Sequence, residues 1–165
     1  MDRKEWLGWH FLPPDKRLRY GTREVVEVGK SITIEGPLRL CVRGLHASAR
    51  AIDALSYAPL NAKYACRVRL SGEIVGGGDK AVANTREVLW MVDATRVLHL
   101  FACQVAEDAM SRHGNGDRRS LAAIQAKRDW LEGKISNKEL RVAARSDQNT
   151  LLEKMLEEAR DDYNE

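Results

Sequence analysis

Apolar and polar residues alternate at several places in the first hundred positions, with the period of two that marks a half-buried strand. In "SITIEG", Ile32 and Ile34 are set against polar neighbours, and "REVVEVG" precedes it across a Gly-Lys turn, which predicts two short strands. "PLRLCV" alternates too, with Leu38, Leu40 and Val42 on one side. "AKYACRVRLSGEIV" is the clearest strand, with Tyr64, Cys66, Val68 and Leu70 on one face and Lys63, Arg67 and Arg69 on the other. "REVLWMV" predicts a further strand. The three glycines of "GGGDK" place a flexible hairpin connection before it. Residues 1–22 hold Trp6, Trp9, Phe11, a Pro-Pro pair and a basic stretch, and are expected to be an ordered arm.

After Val92 the period becomes helical. Asp93 can cap a helix carrying Val97, Leu98, Phe101, Val105 and Met110 that ends near Gly114. Asp117 can cap a second helix that stops at Gly133. Ser136 and Glu139 have capping-box spacing for a third. Leu151, Leu152, Met155, Leu156 and Ala159 form a final stripe. Strands first and helices last predict an α+β fold, a mainly antiparallel sheet with one short helix followed by three to four helices. "HGNG" is the natural linker, giving an α+β domain over 1–112 and a helical module over 117–165. No internal repeat is evident.

Composition narrows the classes. The 165 residues suit one domain or one with an appendage, and no apolar run has the length of a membrane span. The start lacks the apolar core of a signal peptide. Cys41, Cys66 and Cys103 are widely spaced in apolar contexts and are expected to be buried thiols of a cytosolic protein. The net charge of +3 is unevenly spread. Residues 1–100 hold 16 Lys and Arg against 11 Asp and Glu, and residues 101–165 hold 11 against 13.

The candidate chemistry centres on "GLHAS". His46 follows an apolar run at a corner, and a catalytic histidine needs a nucleophile, an orienting carboxylate or a metal beside it. Ser48 is near, but its simpler role is to cap a helix running to Ser56. The expected role of His46 is to hold the corner by a bond to backbone. His10, His99 and His113 form no ligand spacing with it, and no cysteine lies three or four residues from a histidine, so no metal and no cofactor are expected. The enzymatic alternative is an ADP-ribosyltransferase-like site. "GLHAS" followed by Glu87 is similar in order to such sites, with His46, Ser48 and Glu87 as its residues. "GGGDK" lacks the Ser or Thr of a nucleotide loop. If the strands holding Arg39 and Arg43 and those holding Lys63, Arg67 and Arg69 are neighbours, five cations line one sheet face, fit for an acidic protein or a nucleic-acid backbone. The bland alternative is a solvated face interleaved with carboxylates.

Longer stretches carry a resemblance. "GWHFLP", "RYGTREVVEVG", "GPLRLCVRGLHASARAIDALSYAP", "CRVRLSGEIV", "GDKAVA", "VLWMVDATRVLHLFACQVAE", "DRRSLAAIQAKRDWLEGKISNKEL" and "QNTLLEKML" resemble, in this order, a family of bacteriophage and prophage accessory proteins. The resemblance implies provenance rather than chemistry: an accessory protein in a bacterial cytoplasm. Its relatives often carry a long alanine-rich helical array before "QNTLLEKML", and here "RVAARSDQN" is nearly all that remains. The resulting expectation is a protein that binds and modulates or inhibits a host macromolecule, such as a defence complex. Its partner would be a host protein or protein–nucleic-acid complex with an acidic contact surface. No membrane is involved, and a homodimer could form through the C-terminal helices. A nonspecific nucleic-acid binder is the remaining alternative.

Overall fold

The computed structural model describes residues 5–19, 23–113 and 118–143. The fold is α+β, with a five-stranded antiparallel sheet and helices that come mostly after it. The strands are β1 (Trp6–Leu12), β2 (Ser31–Thr33), β3 (Leu45–Ser48), β4 (Tyr64–Gly77) and β5 (Lys80–Asp93). The helices are α1 (Ala51–Ser56), α2 (Thr95–His113) and α3 (Arg118–Leu131), and residues 137–143 are helical again. The chain divides into two compact units at Thr95/Arg96, so α2 belongs to the helical part rather than to the strand domain expected to run to 112.

In the first unit β4 and β5 form a long hairpin, and β4 pairs β1 along its other edge from Trp6↔Leu70 to Leu12↔Tyr64. β3 pairs β5 over Leu45–Ser48 and meets β1 at Trp9↔Ser48. These pairings close β1, β4, β5 and β3 into a ring, and β2 adds to β5 beside β3. Two bulges bend the hairpin enough to close. Leu89 is an extra residue on β5, and Gly72 with Glu73 faces Asn84 alone. Gly72 has φ +77°, and a Cβ there would lie 2.2 Å from Asn84 Oδ1, which accepts the Glu73 N–H. The ring interior is the core: Leu12, Leu45, Ala47, Cys66, Val68, Leu70, Ala81, Ala83 and Val88, with Leu18 and Val26.

Three expectations from periodicity are corrected. "PLRLCV" is a tight turn, not a strand: Arg39 O accepts the N–H of both Val42 and Arg43, Cys41 has φ +66°, and Val42 is 74% exposed. "REVVEVG" is not a strand and makes isolated bridges, whereas "SITIEG" supplies β2. Val28 bridges Val88 and β2 pairs β5, because only Val26 and the isoleucines reach the core. The 1–22 arm contains β1. Its two faces are both largely apolar, Trp6 and Leu12 on one and Leu7, Trp9 and Phe11 on the other, so no alternation reveals it.

At the end of the first unit Asp93 accepts the Thr95 N–H at the start of α2. Gly133, at φ +75°, ends α3, with Lys134 N–H reaching back to Asp129 O. Arg128 donates two bonds to the Glu107 carboxylate, tying α3 to α2, and His99 meets Trp130 edge-to-face at 5.5 Å. Ser136 and Glu139 form the expected reciprocal cap. The expected Asp117 cap and the stripe from Leu151 to Ala159, with the homodimer it suggested, fall outside the described residues. No described helix is long and apolar enough to cross a membrane.

Candidate functional site: a histidine corner and an aromatic sheet face

At the corner, Gly44 takes φ +131°, a conformation that L side chains rarely adopt, and the chain turns into β3. His46 then spends both ring nitrogens on backbone. Cys41 N–H donates to Nε2 at 2.9 Å, so the ring proton sits on Nδ1, which donates to Gly44 O at 3.0 Å. The ring spans the turn and is left with no lone pair to act as a base. Burial lowers its pKa, and the Arg86 and Lys80 cations add to this against the opposing pull of the Gly44 carbonyl. Arg86 Nη1 donates to His46 O at 2.8 Å, fixing the strand behind the ring.

The remaining enzymatic candidates do not join His46. Ser48 is buried at the end of β3 and caps nothing: the N-cap of α1 is Arg50, which makes no side-chain cap bond. Arg50 instead forks onto Asp53. Glu87 is engaged elsewhere, accepting from Arg69 at 3.2 Å. Beside the corner, Lys80 donates to Tyr57 Oη at 2.9 Å, and Tyr57 donates to Asp79 at 3.2 Å. Cys41 is exposed here, not buried, because the turn carries it outward; Cys66 and Cys103 are buried as expected. No group of three or more His, Cys, Asp or Glu among the described residues is placed to hold a metal ion.

The five cations expected on one sheet face are split. Arg39 and Arg43 sit on the turn, where Arg43 Nη2 donates to Glu35 O. Lys63, Arg67 and Arg69 extend from β4 or just before it, but Lys63 pairs with Asp93 at 3.4 Å, and Arg69 pairs with Glu5 and Glu87. Arg67 instead lies over the Trp9 ring at 5.1 Å. Trp9, Arg67 and Trp90 form one cross-strand row, and the two indoles meet edge-to-face at 5.4 Å. The rows on either side add Leu7 and Val92, so Leu7, Trp90 and Val92 stand exposed around the Trp9–Arg67 stack. This patch was not singled out from the sequence. Reading β1 as a strand in register with β4 would have aligned Trp9 with Arg67 and revealed it.

Residues 15–100 match the family described as Domain of unknown function (DUF7666), which is more than half of the chain. The chain belongs to this family. No curated protein and no solved structure matches it. The DUF7666 match contains β2 to β5, and with them His46, Arg67, Arg86 and Trp90. β1, which supplies Leu7, Trp9 and His10, lies before the match and completes the ring.

The corner predicts a pH dependence. Burial depresses the pKa of His10, His46 and His99 below the ordinary 6.5. The unfolded chain therefore takes up protons first, so stability is full above that value and is lost as pH falls below it. The melting temperature should drop between about pH 7 and pH 5. His46→Gln should flatten part of that drop, and an unchanged profile would separate the ring from the titration.

Proposed function

We propose that this protein acts by binding a protein of its bacterial host through the face formed by Leu7, Trp9, Arg67, Trp90 and Val92. The observation that carries the reading is the exposed Trp9–Arg67–Trp90 row. Tryptophan and arginine are the residues that most often dominate binding energy, and exposed apolar surface around them marks an interaction site. The partner fits this face if it offers apolar surface and one carboxylate for Arg67. The phage resemblance supports a host target and modulation or inhibition as the outcome. Catalysis at the corner draws no support, because both nitrogens of His46 are committed and Glu87 is paired with Arg69.

The two binding readings separate by salt. With Lys63 and Arg69 already paired, Arg67 is the cation of this face, among the described residues, left to meet a partner, so binding should weaken only slightly with added salt. A nucleic-acid partner would give a steep dependence, since each neutralised phosphate releases counterions. In lysate from the host bacterium, Trp90→Ala should weaken capture of the partner by about 30-fold, the effect of losing about 2 kcal/mol at a hot spot. Capture that survives Trp90→Ala and Arg67→Ala together would place the contact elsewhere.

A further inference from the structure

The interior of the strand ring holds a cation with no counter-charge among the described residues. Arg86 is 2% exposed and faces inward across from Leu70 and Ile32. It shares the face of β5 that carries Val88. Among the described residues no carboxylate pairs with it, and Arg86 and Ser48 are the buried polar side chains. Its Nη1 is used by His46 O, whereas Nε and Nη2 have no acceptor among the described residues. Those two N–H groups lie along one edge of the guanidinium, the side-on fork that receives both oxygens of a carboxylate or phosphate. A buried charge left with two unmet donors is costly, so its presence calls for an acceptor. Cys66 supplies none, because burial pushes its thiol up to about 11 and keeps it neutral.

His10 adds a second free group. It is partly exposed, on the inward face of β1, and its ring makes no hydrogen bond to a described residue. It faces the same ring interior as Arg86, and burial, then the charges of Arg86 and His46, lower its pKa. β1 and β3 meet at the single register pair Trp9↔Ser48, next to His10, so the ring is closed most thinly on this side.

We propose that Arg86 and His10 form a site for one small oxyanion, a carboxylate or a phosphate group, held side-on by Nε and Nη2 of Arg86 and reached past His10 at the β1–β3 seam. The anion supplies the counter-charge and both missing acceptors, and it favours protonated His10. This site is on the inward face and is independent of the binding face.

The test uses the full chain in acetate, inorganic phosphate and chloride at equal ionic strength. Acetate or phosphate should raise the melting temperature saturably by several degrees over chloride, and the better of the two identifies the anion class. Arg86→Met should fold and lose that increment. An equal rise in wild type and variant would reduce the effect to exclusion of the salt from the surface and overturn the site. If Arg86→Met does not fold, the His10 ring signals of the wild-type protein decide by nuclear magnetic resonance. A saturable shift with a raised His10 pKa in the anion supports the site. Signals that match those in chloride up to tens of millimolar anion overturn it.

Discussion

Gly44→Ala should remove much of the stability of the strand unit. The new Cβ would lie 2.1 Å from Val82 Cγ2 and 3.1 Å from Leu38 Cδ2, on a backbone at φ +131°. Val82 does not yield easily, being fully buried on β5 opposite His46, and Leu38 is half-buried. Backbone strain of about 1–3 kcal/mol adds to overpacking of about 1–3 kcal/mol. Against a total stability of roughly 5–15 kcal/mol, the melting temperature should fall by 10 °C or more. Gly29→Ala is the control. Gly29 also has positive φ, +76°, but a Cβ there meets nothing within 4 Å, so only the strain remains. If both substitutions cost the same, the corner is not tightly packed and the bracket role of His46 loses its frame.

The corner also shows what the sequence could and could not disclose. A histidine just after a glycine, at the end of an apolar run, predicted a polar group holding a turn, and His46 does this with both nitrogens. β4, the β4–β5 turn, α2, α3 and the Ser136–Glu139 cap follow from period, glycine and capping residues. What failed was alternation where backbone geometry overrides it. Leu38, Leu40 and Val42 alternate, but the positive φ at Cys41 folds them into a turn. β1 failed for the opposite reason, since a strand largely apolar on both faces has no period to detect. The cationic face failed because charge was counted without register. Glu87 stands across from Arg69 and neutralises it, whereas Trp9 and Trp90 flank Arg67.

Leu70→Ala should cost about 3 kcal/mol. Leu70 has no exposed surface and sits in the centre of the ring, between Trp6 on β1 and Arg86 on β5. Truncating a buried leucine removes its transfer energy and leaves a cavity, which together cost roughly 2–5 kcal/mol. The upper end is not expected here. The cavity opens beside the unmet donors of Arg86, and water entering it would bond them. The measurement is denaturant unfolding followed by the fluorescence of Trp6, Trp9 and Trp90. Leu7→Ala on the outer face, already half exposed, should change the midpoint by less than about 1 kcal/mol. Equal costs at the two positions would contradict an inward-facing core.

The central claim is that function resides on the Trp9–Arg67–Trp90 face and not in the chemistry of His46. It is tested most directly by quantitative mass spectrometry of host proteins retained by wild type, His46→Ala and Arg67→Ala/Trp90→Ala, all at equal folded concentration. The account predicts that His46→Ala retains the same protein as wild type in the same amount, while the double variant loses it. Retention by the double variant, with loss in His46→Ala, would contradict it.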